Sequence, residues 1–322
     1  MASIAGGEQN MEKANINVNE VIKEIDTVVS DLEKQLNGKV IHLIFHELAS
    51  ITRDVVDDLE FYMREKHKGK VNEDLYVILH TMGGDPDAAY HIGIRLQSYV
   101  PENKKLYVIV PRYAKSAGTL LACATDEILL TPIAELGPID PQIYVRETGR
   151  WISAKTIAGS LRQVIETLKD VGISDARVIK ELVEKIPIVE LGHYGSLIDH
   201  IQHLAEDLLQ RRMFRDSEST AEEVASKLVK SYMYHGQVIH NEEAERLRIR
   251  VKTLQAETLD LVYKYYKEIR KLFDKLDEYL EPFLTVIQGE LPFGSIIEKH
   301  ETSYGLIYMP STQLIEYISN FQ

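Results

Sequence analysis

Cysteine is nearly absent from this sequence: Cys123 is the single thiol in 322 residues. One thiol excludes an intramolecular disulfide and fits a reducing compartment. Its setting in the apolar run TLLACA marks it as a small buried hydrophobe rather than a nucleophile. Long apolar runs are missing too. The longest, within VIHLIF, falls far short of the about 20 residues that a bilayer-spanning helix needs. The first 18 residues are polar, without the apolar stretch of a secretory signal. These absences predict a soluble, cytoplasmic chain. Basic residues are outnumbered, 37 Lys and Arg against 50 Asp and Glu, for a formal net charge of −13. That balance argues against nonspecific nucleic-acid binding, because phosphate contacts need clustered Lys and Arg. Two glycine patterns are also lacking. There is no G-x-G-x-x-G for a dinucleotide and no G-x-S-x-G of the ordinary α/β-hydrolases. Nothing in the sequence asks for a cofactor.

An apolar content of 44% is enough for a substantial core. The stretch from Leu75 to Gln142 organises the chain. It runs strand (LYVILH), glycine pair (TMGGDP), helix (DAAYHIGIRLQSYV), strand (LYVIV) and the turn YAKSAGT opening a second helix. A further strand, EILL, then leads into a rigid corner, ELGPIDPQ. Such an alternation with short connections implies parallel strands and crossover helices, and chemistry collects at the carboxyl ends of strands in such sheets. Gly83 and Gly84 follow one strand; Ser116 follows the next. A serine at a strand-to-helix turn lies near the free N–H groups of the helix, and a glycine pair lets a backbone N–H approach a ligand closely. Together they suggest a nucleophile and an oxyanion hole. The plainer reading, a helix-capping Ser116 and glycines that merely turn a loop, stays open.

Around this centre, Val18 to Leu36 reads as a helix with Ile25, Val28, Val29 and Leu32 on one face. KVIHLIFHE is a near-continuous apolar strand, as a buried parallel sheet requires. Beyond Gly172 the pattern is mostly helical: DARVIKELVEKI, then GSLIDHIQHLAEDLLQRRM, then a helix capped by Thr220 with Glu223 completing a capping box. His200, His203 and Asp207 share a helix face at metal-compatible spacing. Without a second ligand segment they read as solvated side chains, and no metal site is expected. From Lys252 a long charged helix carries Leu254, Leu261, Tyr265, Ile269, Leu272, Leu276 and Leu280 on one stripe, suited to packing on the domain or on a partner. The apolar and aromatic tail after it is expected to fold.

The runs HTMGGDPDAAY, YAKSAGTLLACATDEILL and ELGPIDPQ, in that order, resemble the serine dehydrogenase proteinase family. That family is grouped with the Clp protease and signal-peptide peptidase branch of the ClpP/crotonase superfamily. The resemblance extends from about Lys39 to about Val251. It divides the chain into an N-terminal helical segment (1–38), a ClpP/crotonase-like serine protease domain (39–251) and a C-terminal extension (252–322). It implies a spiral α/β fold of parallel strands, peptide or protein substrates, a nucleophile at Ser116 and oxyanion donors near Gly83, Gly84 and Ala117. On that reading a side chain at Gly84 crowds the carbonyl pocket. Relatives in the superfamily assemble into rings, so a homo-oligomer is expected, with residues 252–322 contributing to the contact and room for a regulatory partner.

The general base is less direct. ClpP proper supplies a histidine after the strand that follows the nucleophile helix, whereas PIAELGPIDPQIYVRETGRW contains none. Signal-peptide peptidase relatives use a lysine near the start of the next helix. Lys155 holds that position in WISAKTIAGSLRQVIETLK, with Ile157, Leu161, Val164, Ile165 and Leu168 expected on the buried face. A desolvated lysine can serve as a base near neutral pH; spacing alone equally allows a solvated Lys155. His235, between a helix and a glycine, and His80, beside the glycine pair, are the second candidates. Asp140 reads as a turn cap or as the group that orients the base, with the turn role favoured. A catalytically silent scaffold that keeps the fold is the competing functional reading.

Overall fold

The computed structural model describes residues 18–145, 149–172, 177, 180, 188–232, 234–280 and 297–310. The apolar runs become one seven-stranded sheet in the order β10-β11-β1-β2-β3-β5-β9. Its strands are β1 (Lys39–Phe45), β2 (Leu75–His80), β3 (Leu106–Val110), β5 (Glu127–Leu130), β9 (Val251–Thr253), β10 (Ile297–Glu301) and β11 (Gly305–Pro310). Every neighbouring pair is parallel except β10 with β11. Both faces are covered, which is why the strands are apolar on alternate residues and on the residues between them.

On one face, Leu43, Val77, Val108 and Ile128 join a core built with α2 (Asp54–His67), α3 (Pro86–Tyr99), α4 (Ala117–Ala122), α6 (Ile188–Arg211) and α7 (Glu218–Lys230). On the other, Ile44, Ile78, Ile109 and Leu129 meet α1 (Val18–Leu36) and α9 (Ala256–Leu280). Helix α1 has the expected bounds and buries Ile25, Val28, Val29 and Leu32. The α9 stripe is buried inside the chain: Leu254, Tyr265, Ile269 and Leu272 pack on the sheet and on α1. Of the two roles expected for the stripe, packing on the domain is the one these residues show; the side chains of Leu276 and Leu280 lie outside the described residues. The described part of the tail, residues 297–310, folds as expected, because β11 pairs in parallel with β1.

At the carboxyl ends of the main strands lies a second, smaller layer. Strands β4 (Tyr113–Ala114) and β6 (Glu135–Leu136) pair in parallel, and single bridges join Thr81 to Ala114, Ile51 to Gly84 and Leu136 to Ile239. A hairpin of β7 (Gln142–Val145) and β8 (Arg150–Ser153) runs directly into α5 (Ala154–Asp170). Helix α7 begins two residues before the expected cap. Ser217 occupies the cap position, and its hydroxyl contacts that of Thr220 at 2.7 Å. Arg177 and Lys180 are helical, and the remainder of DARVIKELVEKI lies outside the described residues.

Candidate active site

Ser116 links β4 to α4 with φ 51° and ψ −117°. That is a left-handed backbone on a non-glycine residue, a sparsely populated conformation that persists only when the surroundings enforce it. The surroundings do so. Gly118 N–H donates to Lys115 O at 2.7 Å and Leu120 N–H to Ser116 O at 3.1 Å. Thr119 Oγ1 donates to Ala114 O at 2.6 Å and accepts from Gly137 N–H at 2.9 Å. The Ser116 side chain makes no capping hydrogen bond. The plainer reading of a helix cap therefore does not describe it; the turn holds a partly exposed hydroxyl free.

The glycine pair lies against this turn. A Cβ on Gly83 would stand 2.9 Å from Ser116 Cβ. Gly83 N–H is already taken, donating to Thr81 Oγ1 at 3.0 Å. Gly83 O accepts from Ile51 N–H and Ile51 O accepts from Asp85 N–H, each at 2.9 Å, so both backbone groups of Ile51 bracket Gly84. A Cβ on Gly84, where φ is +148°, would sit 2.3 Å from Ile51 O and 2.4 Å from Ile51 N. The clash is with Ile51 rather than in the carbonyl pocket, which corrects the sequence-based expectation. Among the described residues, Gly84 N–H and Ala117 N–H are left without acceptors.

Two candidate bases converge on one carboxylate. Lys155, in the first turn of α5, donates from Nζ to Tyr232 O and, at 3.3 Å, to Lys230 O. Burial holds its pKa below the ordinary lysine value, against the pull of the Asp140 charge. Asp140 is 4% exposed and accepts from His235, whose Nδ1 lies 2.7 Å from Oδ1, and from Gln142 Nε2 at 3.0 Å. Burial raises the Asp140 pKa, but the hydrogen bond from His235 and the charges of His235 and Lys155 bring it below its usual value. Asp140 thus faces the candidate bases; the expectation of a simple turn cap misses this. His80 is different. The alternation along β2 turns it to the α9 side of the sheet, among the rings of Tyr113, Tyr266 and Phe273. Neither ring nitrogen has a partner, and burial lowers its pKa to about 3. It stands apart from the other candidates.

Lys115 carries a role that sequence reading missed. It is buried, and its Nζ contacts Glu135 Oε2 at 3.2 Å, Gln237 O at 3.3 Å and Leu136 O at 3.4 Å. It thereby ties the residue next to Ser116 to the segment bearing His235. The only sequence signal was its adjacency to Ser116.

Residues 11–274 match the family of ClpP-like SDH-type serine proteinases. The chain belongs to that family. Two curated relatives, both from Methanocaldococcus jannaschii, are the uncharacterized proteins MJ0137 and MJ1495. MJ0137 is 27% identical over 213 residues, covering 66% of this chain and 65% of the relative. MJ1495 is 24% identical over 261 residues, covering 79% and 76%. This proteinase-family chain thus spans just under two thirds of the length of MJ0137. Solved structures similar to it include the membrane-bound stomatin-specific protease 1510-N as a serine-to-alanine mutant, with TM-score 0.43, 16% identity and coverage of 70% of this chain and 84% of that one. A lysine-to-alanine mutant of the same protease in complex with a substrate peptide gives TM-score 0.41, 16% identity and coverage of 88% and 99%.

Among the described residues, no helix of this family member is long and apolar enough to cross a membrane. His200 pairs with Asp87 at 2.9 Å, and Asp207 accepts from Tyr90 and Arg211. The exposed large apolar side chains include Tyr144, Trp151, Val164 and Ile165, on the β7–β8 hairpin and α5. Val164 and Ile165 are thus not on a buried face as expected; the side chain of Leu161 lies outside the described residues.

Proposed function

We propose that this protein is a serine peptidase that hydrolyses peptide bonds through Ser116. The observation that carries the reading is the enforced left-handed turn at Ser116, which leaves its hydroxyl uncapped beside two unpaired N–H groups. Backbone strain of this kind costs about 1–3 kcal/mol and clusters where function needs it. In the reaction, Ser116 Oγ attacks the peptide carbonyl and neutral Lys155 takes its proton. Gly84 N–H and Ala117 N–H receive the oxyanion, while Gly83 supplies the clearance for the substrate carbonyl. The lysine proton then passes to the leaving amine, and water hydrolyses the acyl-enzyme to restore Ser116.

A second reading of the base has its own support. His235 with Nδ1 on Asp140 has the orientation of a histidine base, its Nε2 free. Lys155 is favoured because burial depresses its pKa and because two carbonyls hold its Nζ in a fixed direction. No described side chain lies within hydrogen-bond reach of Ser116 Oγ; catalytic hydrogen bonds are often long before substrate binds.

A fluorophosphonate probe should label the wild-type chain and leave Ser116→Ala unlabelled. A wild-type chain that resists labelling, with no peptide turnover, would return the protein to the silent-scaffold reading.

Peptide or protein substrates, a cytoplasmic location and a homo-oligomeric state complete the proposal. With the α9 stripe buried, the contact between copies is assigned to Tyr144, Trp151, Val164 and Ile165. Light scattering at micromolar concentration should give an oligomeric mass that the double variant Trp151→Glu, Ile165→Glu reduces. A monomeric wild type would refute this.

A further inference from the structure

We propose that His46 and Asp277 are positioning residues that couple helix α9 to the oxyanion side of the site. The inference rests on the reading of Gly84 as an oxyanion donor. His46 follows β1 directly, is 1% exposed and is anchored on every polar group. Its N–H donates to Tyr308 O of β11 at 2.9 Å, and its C=O accepts from Ala49 N–H at 2.7 Å. Its Nδ1 accepts from Leu48 N–H at 3.1 Å. That bond requires an unprotonated Nδ1, so the ring proton sits on Nε2 and is donated to Asp277 Oδ1 at 3.1 Å. The ring stands edge-on to Phe273, also on α9, at 4.8 Å. Arg270 of the same helix reaches Glu47 at 3.4 Å.

The other end of this short stretch is fixed just as closely. Ile51 holds Gly83 O through its N–H and Asp85 N–H through its O, both at 2.9 Å. The absent Cβ of Gly84 is all that allows so close an approach. Residues 46–51 therefore form a strut, with α9 and β11 at one end and the backbone of Gly84 at the other. Asp277 and β11 lie beyond the stretch matched by the family, residues 11–274, so the outer anchor belongs to the part of this chain outside that match. Loss of the anchor frees residues 46–51 to shift, and Gly84 N–H moves away from the position of the tetrahedral oxygen. The stabilisation lost this way is greater in the transition state than in the bound substrate.

The test uses the full chain with a peptide substrate and a peptide aldehyde, which forms a tetrahedral adduct on Ser116. Asp277 is 44% exposed in the last turn of α9, so its replacement leaves the core untouched. Asp277→Ala should lower kcat and aldehyde affinity by about tenfold with KM within about twofold, the pattern of a displaced catalytic group. Asp277→Leu, which fills the space of the side chain and favours the helix but offers no acceptor, should show the same loss. Asp277→Asn retains an oxygen that accepts from Nε2–H and should stay within about threefold of wild type. Wild-type kcat and aldehyde affinity in Asp277→Ala and Asp277→Leu, or equal loss in Asp277→Asn, would overturn the inference. Turnover that survives Ser116→Ala would instead overturn the peptidase reading beneath it.

Discussion

Lys155→Ala should lower kcat by about three orders of magnitude, the middle of the range for removing a general base. Lys155→Arg should fail as badly, because a guanidinium stays protonated. His235→Ala should keep activity within about tenfold of wild type, since on this reading it only orients Asp140. The pH profile has a definite sign. Burial pushes the Lys155 pKa down while the Asp140 charge pulls it up. The neutral amine that accepts the Ser116 proton is lost as pH falls through that depressed value, so activity declines on the acid side. Asp140→Asn removes the upward pull and should shift the acid limb to lower pH. If Lys155→Ala stays active while His235→Ala is silent, the base is the His235–Asp140 pair and the lysine is structural.

The second large effect is at Gly84. Even the methyl of Gly84→Ala would meet the Ile51 backbone at 2.3–2.4 Å, so Gly84 and Ile51 must part. Overpacking of this sort costs about 1–3 kcal/mol of stability. The displaced N–H should remove about two to three orders of magnitude of kcat, as the loss of one oxyanion donor does elsewhere. Thermal melting and kinetics together check the pair of effects: a modest fall in melting temperature with a large fall in kcat. Normal turnover in Gly84→Ala would mean that Gly84 donates to nothing in the reaction.

Gly83 and Gly84 each require glycine, by different physics. Gly83 lies 2.9 Å from Ser116 Cβ at its absent Cβ, and Gly84 lies against Ile51. One makes room for the nucleophile and the other for the strut beneath it.

Local pattern alone determined a good deal here. The runs KVIHLIF, LYVILH and LYVIV read as buried parallel strands because each is apolar almost throughout, and α1 reads from the spacing of Ile25, Val28, Val29 and Leu32. Ser116 and the glycine pair stood out because strand ends are recognisable from a single stretch of chain. The facing of His80 was not legible: β2 is apolar on both faces, so alternation says only that His80 and Leu79 point opposite ways, and which side lies under Ser116 is decided by the packed helices. Tertiary structure decided the rest. Asp140 and His235 are 95 residues apart in sequence and 2.7 Å apart in space; His46 and Asp277 are separated by 231 residues. No local propensity encodes such pairs, because each depends on how distant elements close around one sheet. The strained turn at Ser116 is of the same kind. Its φ of 51° is not a preference of serine; it is imposed by Gly83 and Gly137, which arrive from two other parts of the chain, and by the anchored Thr119 of the same helix. A sequence specifies where its strands end. Which groups meet there is settled only when long-range packing outweighs local preference.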